Sequence, residues 1–393
     1  MGNSGPLAKV RVLDLSQGIA GPHCGLLFAE HGAEVVKIEP LGGDWMRQLG
    51  LRIDGQSAYS IYYNRGKKSL ALDIAKPAGR EIALALARRS DVVIQSARPG
   101  VMDKLGLGFA AVQAVAPGIV YVSISGFGTQ GPKARHPGTD TVAQAHSGLM
   151  SVIRGRDGAP TKIDHPVVDA ITGLYAFQSA TMALLGRLMG APAAARHIDV
   201  SLAQSAVAIQ APKILEWSAR GGPGELLLNP PTGNFRTADG WIAIALIKEE
   251  QFPRLCNVLG RPDMPEDARF SSFERRMANL QALRQELDGE FAKRGTQDWA
   301  RALGAADVLV SPVNSFGDWL DDPQTEATGG APVLPVTSQA SAALPTTPGE
   351  MPFTAASPRL GEHTRGVLAE LGHDGAAIDA LIADGVAADV TDI

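Results

Sequence analysis

VRVLDLSQGIAGPHCGLLFAEHGAEVVKIE, residues 10–39, decides the fold class. VRVLDLS (10–16) reads as a strand, GPHCGLLFAEHG (21–32) as a helix stopped by Gly32, and AEVVKIE (33–39) as a second strand. A strand, a helix and a strand in succession is the unit of a parallel pair joined by a crossover. Working outward, the pattern repeats. PAGREIALALARR (77–89) is a helix with Pro77 at its start and Arg88–Arg89 at its end, both favourable places. DVVIQSA (91–97) and IVYVSIS (119–125) are further strands, with a short helix near 109–116 between them. Strands rich in Val and Ile, alternating with helices, predict an α/β fold whose mostly parallel sheet is covered on both faces.

Beyond residue 125 a long helix is predicted from about 169 to 189, and RHIDVSLAQSAVAIQ (196–210) starts extended and becomes helical. SARGGPGELLLNPPTGN (218–234) is a Gly- and Pro-rich break, expected to be a linker that closes a first domain at 217. Residues 235–330 have their own strand, GWIAIAL (240–246), and helices, and are expected to form a smaller α/β domain. Residues 331–358 carry six prolines and little periodicity, so they are expected to cross back as a linker. EHTRGVLAELG (362–372) is a closing helix.

Composition narrows the function classes. With 393 residues, 45% of them hydrophobic, the chain is long enough for roughly two domains. A net charge of -5 argues against a nucleic-acid partner, which would call for a basic face. Cys24 and Cys256 are too far apart in sequence to suggest a metal-ligand spacing or a disulfide framework, so a reducing, cytoplasmic setting is expected. The start, MGNSGPLAKVRV, has no apolar signal core, and Pro6 stands where a myristoylation motif wants Ser or Thr. The most apolar long stretch, 173–195, carries Gln178, Ser179, Thr181 and Arg187, which suits a buried helix and no membrane partner.

Two motifs need weighing on their residues alone. Gly126-Phe127-Gly128-Thr129-Gln130-Gly131 matches GxGxxG after a strand, but Pro132 and Pro137 deny it the helix that a dinucleotide site requires. Asp169, in DHPVVDAITGLYAF, reads as the N-cap of the long helix, where Asp is favoured and its charge is stabilised. On that reading Asp169 is expected to be ionised at neutral pH.

Seven segments in order carry a family resemblance: AGPHCGLLFAEHGAEVVKIEPLGGD (20–44), NRGKKSLALD (64–73), RPGVMDKLGLG (98–108), ISGFGTQGP (124–132), HIDVSLAQS (197–205), DGWIAIA (239–245) and PRLGEHTRGVLAELG (358–372). The chain resembles the class III coenzyme A transferases, the family of formyl-CoA and carnitine CoA transferases, which also holds the α-methylacyl-CoA racemases. The resemblance implies an interlocked, ring-like homodimer. Each chain would have a Rossmann-like large domain built from both ends of the sequence, so that 359–393 returns to it. It implies an acyl-CoA:carboxylate CoA-transferase, with acyl-CoA and a small carboxylic acid as substrates and no permanently bound cofactor or metal. Asp169 matches the family's catalytic aspartate, which would form an aspartyl anhydride and then an aspartyl-CoA thioester.

For CoA binding, the resemblance points to Gly18, Ile19 and Ala20 after the first strand, and to Arg65, Lys67, Lys68, Ser96, Ala97, Arg98 and Lys104. Lys and Arg suit the phosphates of CoA, although such pairs are also common on solvated surfaces. Gln95-Ser96-Ala97 replaces the family's acidic-Asn-Phe triplet, so the usual aromatic contact near the adenine is absent. Gly126, Phe127 and Gly128 would form a loop near the active site, and Asp140 a polar partner in it. Gly221, Gly222 and Gly224 would be either a mobile flap or an interdomain turn. His136, His146 and His165 read as surface or satisfied histidines. Thr139 stands where the racemases have a histidine and many transferases a tyrosine, and threonine cannot serve as a second acid/base. That disfavours the alternative of an α-methylacyl-CoA racemase or epimerase. A non-catalytic CoA-binding protein is the other alternative, against which the retained Asp169 argues.

Overall fold

Val12 and Leu13 are neighbours on β1 (Arg11–Asp14), point to opposite sides, and are each 1% exposed. A strand buries consecutive side chains in this way when it lies in the middle of a sheet covered on both faces. The structure, a computed structural model, describes residues 5–153, 158–222, 229–349 and 353–390. The chain divides into two units, 1–214 with 332–393, and 215–331.

In the first unit, β1 is followed by β2 (Glu34–Glu39), β3 (Lys68–Leu72), β4 (Val92–Gln95), β5 (Val120–Ser125) and β6 (Arg196–Ser201). The six strands run parallel in the order β3-β2-β1-β4-β5-β6, and the short strand Ala387–Ala388 adds antiparallel outside β3. The order reverses between β1 and β4, which is where doubly wound sheets open a crevice at their carboxyl ends.

The helices of this unit that bear on the site are α1 (Ala20–Glu30), α2 (Ala58–Asn64), α3 (Pro77–Arg88), α4 (Val101–Lys104), α5 (Phe109–Val115), α6 (Asp140–His146), α7 (Val167–Leu188) and α8 (Leu202–Ala208). Alternate strand residues feed two cores. Val12, Val35, Val92, Ile94 and Val122 pack with Phe28 of α1 and Ala176 and Ala180 of α7. Leu13, Leu70, Leu72, Val93 and Tyr121 pack with Ile82 and Leu86 of α3 and with Leu368 and Ile378 near the C-terminus. The tight contact of α1 with α7 depends on Gly173, where a Cβ would lie 2.8 Å from the carbonyl oxygen of Ala20. That contact fixes the first turns of α7 beside the start of α1.

The second unit has a three-stranded sheet of β7 (Gly233–Arg236), β8 (Trp241–Ala245) and β9 (Leu309–Pro312), with β8 in the middle. All its pairings are antiparallel, so this smaller unit combines helices with a sheet whose strand direction differs from that of the large one. Its first two strands are joined by the tight turn 237–240, far too short for a parallel crossover. Helices α9 (Gln251–Leu259), α10 (Leu280–Phe291) and α11 (Thr296–Ala305) close its core on Ile242, Ile244, Leu287 and Trp299.

Local departures from the sequence reading have plain causes. The long helix starts at Val167, so Asp169 is its third residue and not its cap. Residues 218–220 finish the helix Ala211–Arg220, and Gly221 donates its amide to the Trp217 carbonyl as the turn ends. Gly224 lies outside the described residues. The stretch 331–358 holds a small hairpin, Val333–Pro335 with Ser341–Ala343.

Candidate active site

Asp14, Gln95 and Ser125 are the last residues of β1, β4 and β5, and the loops that follow them surround a cleft of about 520 Å³. Gly18, Ile19 and Ala20 line it from the first loop, Ser96, Ala97 and Arg98 from the second, and Gly126 from the third. Segment 134–139 supplies the wall facing Gly126, and Asp169 reaches in from the first turn of α7. Gly126 and Gly138 bring two backbones together here, since a Cβ on Gly126 would sit 2.7 Å from the Cα of Gly138.

The start of α7 is anchored from two sides. Oδ2 of Asp140 accepts the amides of Val168 at 2.7 Å and of Asp169 at 3.1 Å. Its Oδ1 accepts Nε2 of Gln144 at 2.6 Å, and Gln144 is itself held by the backbone of Ile163. On the other side His23 of α1 donates Nδ1–H to the Ala170 carbonyl at 2.9 Å, and burial holds its imidazole down near 4, in the neutral form. A carboxylate from another segment therefore does the capping that the sequence assigned to Asp169.

Two expectations change with that geometry. Asp140 is 8% exposed and turns its carboxylate to the helix, not to the cleft. Asp169 is not held ionised by the helix start: burial, and then the charge of Asp140, push its carboxyl up to about 7.

The basic residues separate into two groups. Arg65 is 2% exposed; its guanidinium reaches Glu30 at 3.0 Å and the Phe353 carbonyl at 3.0 Å. Lys67 is 3% exposed, and its ammonium donates to Asp14, the Pro22 carbonyl and Asn64, so no proton is left for a phosphate. Lys68 is bound by Glu34 at 2.6 Å and Glu370 at 2.9 Å. The expected phosphate contacts are therefore corrected for Arg65 and Lys67, whose donors are buried in internal bonds, and for Lys68, which does not line the cleft and pairs with two carboxylates at the surface. Arg98 is exposed and lines the cleft. Lys104 is exposed at the end of α4, whose Val101 and Met102 line the cleft, but it does not line the cleft itself.

The loop amides are also engaged. Gly18 donates to the Asp44 carboxylate, and Ser96 Oγ accepts from the Gln17 amide while donating to the Gln17 carbonyl. Ser96 thus ties the β1 and β4 loops together at the crevice, and Gly18 does not offer its N–H to a ligand. Phe127 and Gly128 stand outside the cleft: the Phe127 ring meets His146 edge-on, and the Gly128 amide donates to Ser125 Oγ. His165 borders a shallower pocket beside Asp140.

Sequence reasoning set His136 aside and passed over Trp45, Met102 and Leu105, all of which line the cleft. Trp45 is 53% exposed, and an aromatic ring left open after GGD was the available signal. Among the described residues, no group of three or more His, Cys, Asp or Glu could hold a metal ion, and no helix is long and apolar enough to cross a membrane.

An apolar cleft at the switch point, with one carboxylate in its wall, is a ligand site in search of a chemistry. The chain matches CoA-transferase family III over residues 7–364. It belongs to that family. It is 33% identical to the succinate–glutarate CoA-transferase of Agrobacterium fabrum, covering 93% of this chain and 96% of that protein. It is 34% identical to the acetyl-CoA:oxalate CoA-transferase of Acetobacter aceti, covering 82% and 84%. Among solved structures, a CAIB/BAIF family protein from Brucella suis superposes with a TM-score of 0.83 at 30% identity, covering 93% of this chain and 99% of that one. The protein is accordingly an enzyme of CoA-transferase family III, whose substrates are CoA thioesters.

Proposed function

We propose that this family III CoA-transferase moves CoA from an acyl-CoA to a free carboxylic acid, with Asp169 as covalent nucleophile. One observation carries the reading: among the described residues that line the cleft, Asp169 is the only carboxylate. An Asp169 oxygen attacks the thioester carbonyl, the C–S bond breaks, and CoA leaves as thiolate with an aspartyl anhydride behind it. The thiolate attacks the aspartyl carbonyl, releasing the donor acid and leaving CoA as an aspartyl thioester. The acceptor carboxylate attacks that thioester and expels the thiolate, which then attacks the acceptor's carbonyl in the new anhydride. Acyl-CoA leaves and the Asp169 carboxylate is restored, with no net proton or electron change. Arg98, with Lys104 nearby, serves the phosphates, and Ile19, Ala20 and Trp45 supply apolar walls.

The proposal includes an interlocked homodimer in a cytoplasmic setting. Leu185, Leu188 and Met189, at the end of α7, are exposed and suit a partner chain, and both cysteines are buried free thiols. Light scattering over a dilution series should show one species of twice 41.1 kDa; a folded species of 41.1 kDa would contradict it.

A second reading, α-methylacyl-CoA racemase, gains one observation, because His136 shares the cleft with Asp169 and could be a second acid/base. Two assays in deuterium oxide decide between them. The transferase passes CoA to at least one acid of a panel of mono- and dicarboxylates and leaves the α-hydrogen of the acyl group unexchanged. Exchange at the α-carbon without any acceptor acid would establish the racemase.

A further inference from the structure

The start of a helix such as α7 offers amides that stabilise a nearby negative charge. Asp169 stands in that first turn, yet the amides of Val168 and of Asp169 itself point to Asp140. Asp140 is buried, comes from the start of α6, and is steadied by Gln144. Asp caps a helix as well as Ser does, but it also brings a charge to the position.

We propose that Asp140 is the positioning residue of the nucleophile: it seats the Val168–Asp169 backbone, withholds those amides from the Asp169 side chain, and keeps a fixed negative charge behind it. This rests on the reading of Asp169 as nucleophile. The chemistry gives the arrangement a purpose. Through the cycle Asp169 alternates between a charged carboxylate and two neutral acylated forms, the anhydride and the thioester. Any environment that disfavours charge at Asp169 favours the acylated forms relative to the free carboxylate. A carboxylate deprived of hydrogen-bond donors is also less solvated when it attacks. The counterpart is that Asp169 must lose its proton at a higher pH than an ordinary aspartate, in line with the direction set by burial and Asp140. The remaining titratable or charged groups around the start of α7 are His23 of α1, Tyr59 and Tyr63 of α2, Lys162, Asp164 and His165 just before it, and Arg98 and His136 across the cleft. Lys162 and Asp164 pair with each other, and His23 is neutral. Of these groups, Asp140 is the one whose charge, after burial, raises the Asp169 carboxyl.

The test compares pH profiles of steady-state CoA transfer by the full-length enzyme. In the wild type kcat/KM should rise with pH through a midpoint near 7, because the ionised fraction of Asp169 grows there. In Asp140→Asn, where an amide oxygen still accepts the two N–H groups, the midpoint should fall by about one pH unit or more. Asp140→Ser, a neutral cap of another shape, should shift it the same way and serves if the Asn variant does not fold. The fraction of enzyme trapped as covalent CoA adduct should fall in both. A midpoint that stays put while kcat drops at every pH would reduce Asp140 to a structural cap and overturn the proposal. Absence of any adduct in the wild type would instead refute the nucleophile reading and leave the pH comparison readable.

Discussion

The ammonium of Lys67 lies 2.8 Å from Oδ2 of Asp14, and neither side chain is exposed to solvent. Asp14 ends β1, and its other oxygen accepts from the amide and hydroxyl of Ser16. The pair sits directly beneath the loop that lines the cleft, so a lysine that resembles a phosphate ligand is a pin for that loop. Removing it strips Asp14 of the ammonium that hydrogen-bonds it and leaves Lys37 as its remaining cation, a loss of up to roughly 3–5 kcal/mol. Lys67→Ala should therefore lower the thermal midpoint by many degrees or fail to fold. A stable Lys67→Ala enzyme with only a raised KM for acyl-CoA would restore the phosphate role.

Arg98 and Lys68 give opposite outcomes for the same substitution. Arg98→Ala should raise the KM for acyl-CoA about tenfold with little change in kcat, because a contact remote from the thioester binds ground and transition states alike. Lys68→Ala should leave that KM unchanged, since Glu34 and Glu370 already hold the ammonium. Initial-rate kinetics on both variants decide it, and equal increases in KM would contradict the division.

Gly126 and Gly138 set the width of the cleft where two backbones touch. Gly126→Ala drives a methyl group into the Gly138 backbone, which cannot rotate away as a side chain can. The expected result is a loss of about 1–3 kcal/mol, as for other overpacked sites, together with impaired transfer. Thermal unfolding and transfer kinetics read both; a variant unchanged in both would show that the 134–139 wall is freer than its packing implies.

Much of the large sheet is legible in the sequence because its signals are local. Val- and Ile-rich runs such as IVYVSIS (119–125) bury both faces, and the helices between them carry their own start and stop residues. The antiparallel second sheet is less legible, since one apolar strand, GWIAIAL, does not declare the direction of its neighbours. The cleft shows the same divide. Gly18, Ser96, Arg98, Gly126 and Asp169 come together from segments that the family resemblance marks out. What the sequence hides is pairing across distance. Nothing near Lys67 announces Asp14, and nothing near Asp169 announces that Asp140 takes its helix amides. Charge state follows from those distant partners, which is why Asp169 reads as an ordinary ionised cap until the fold is known.

Covalent carriage of CoA by Asp169 is read by intact-mass measurement after a brief incubation with acyl-CoA, followed by peptide mapping. A CoA thioester is expected on the peptide containing Asp169, discharged on addition of a competent acceptor acid and absent from a folded Asp169→Ala variant that no longer transfers CoA. An adduct on another residue, or full transfer activity in Asp169→Ala, would contradict it.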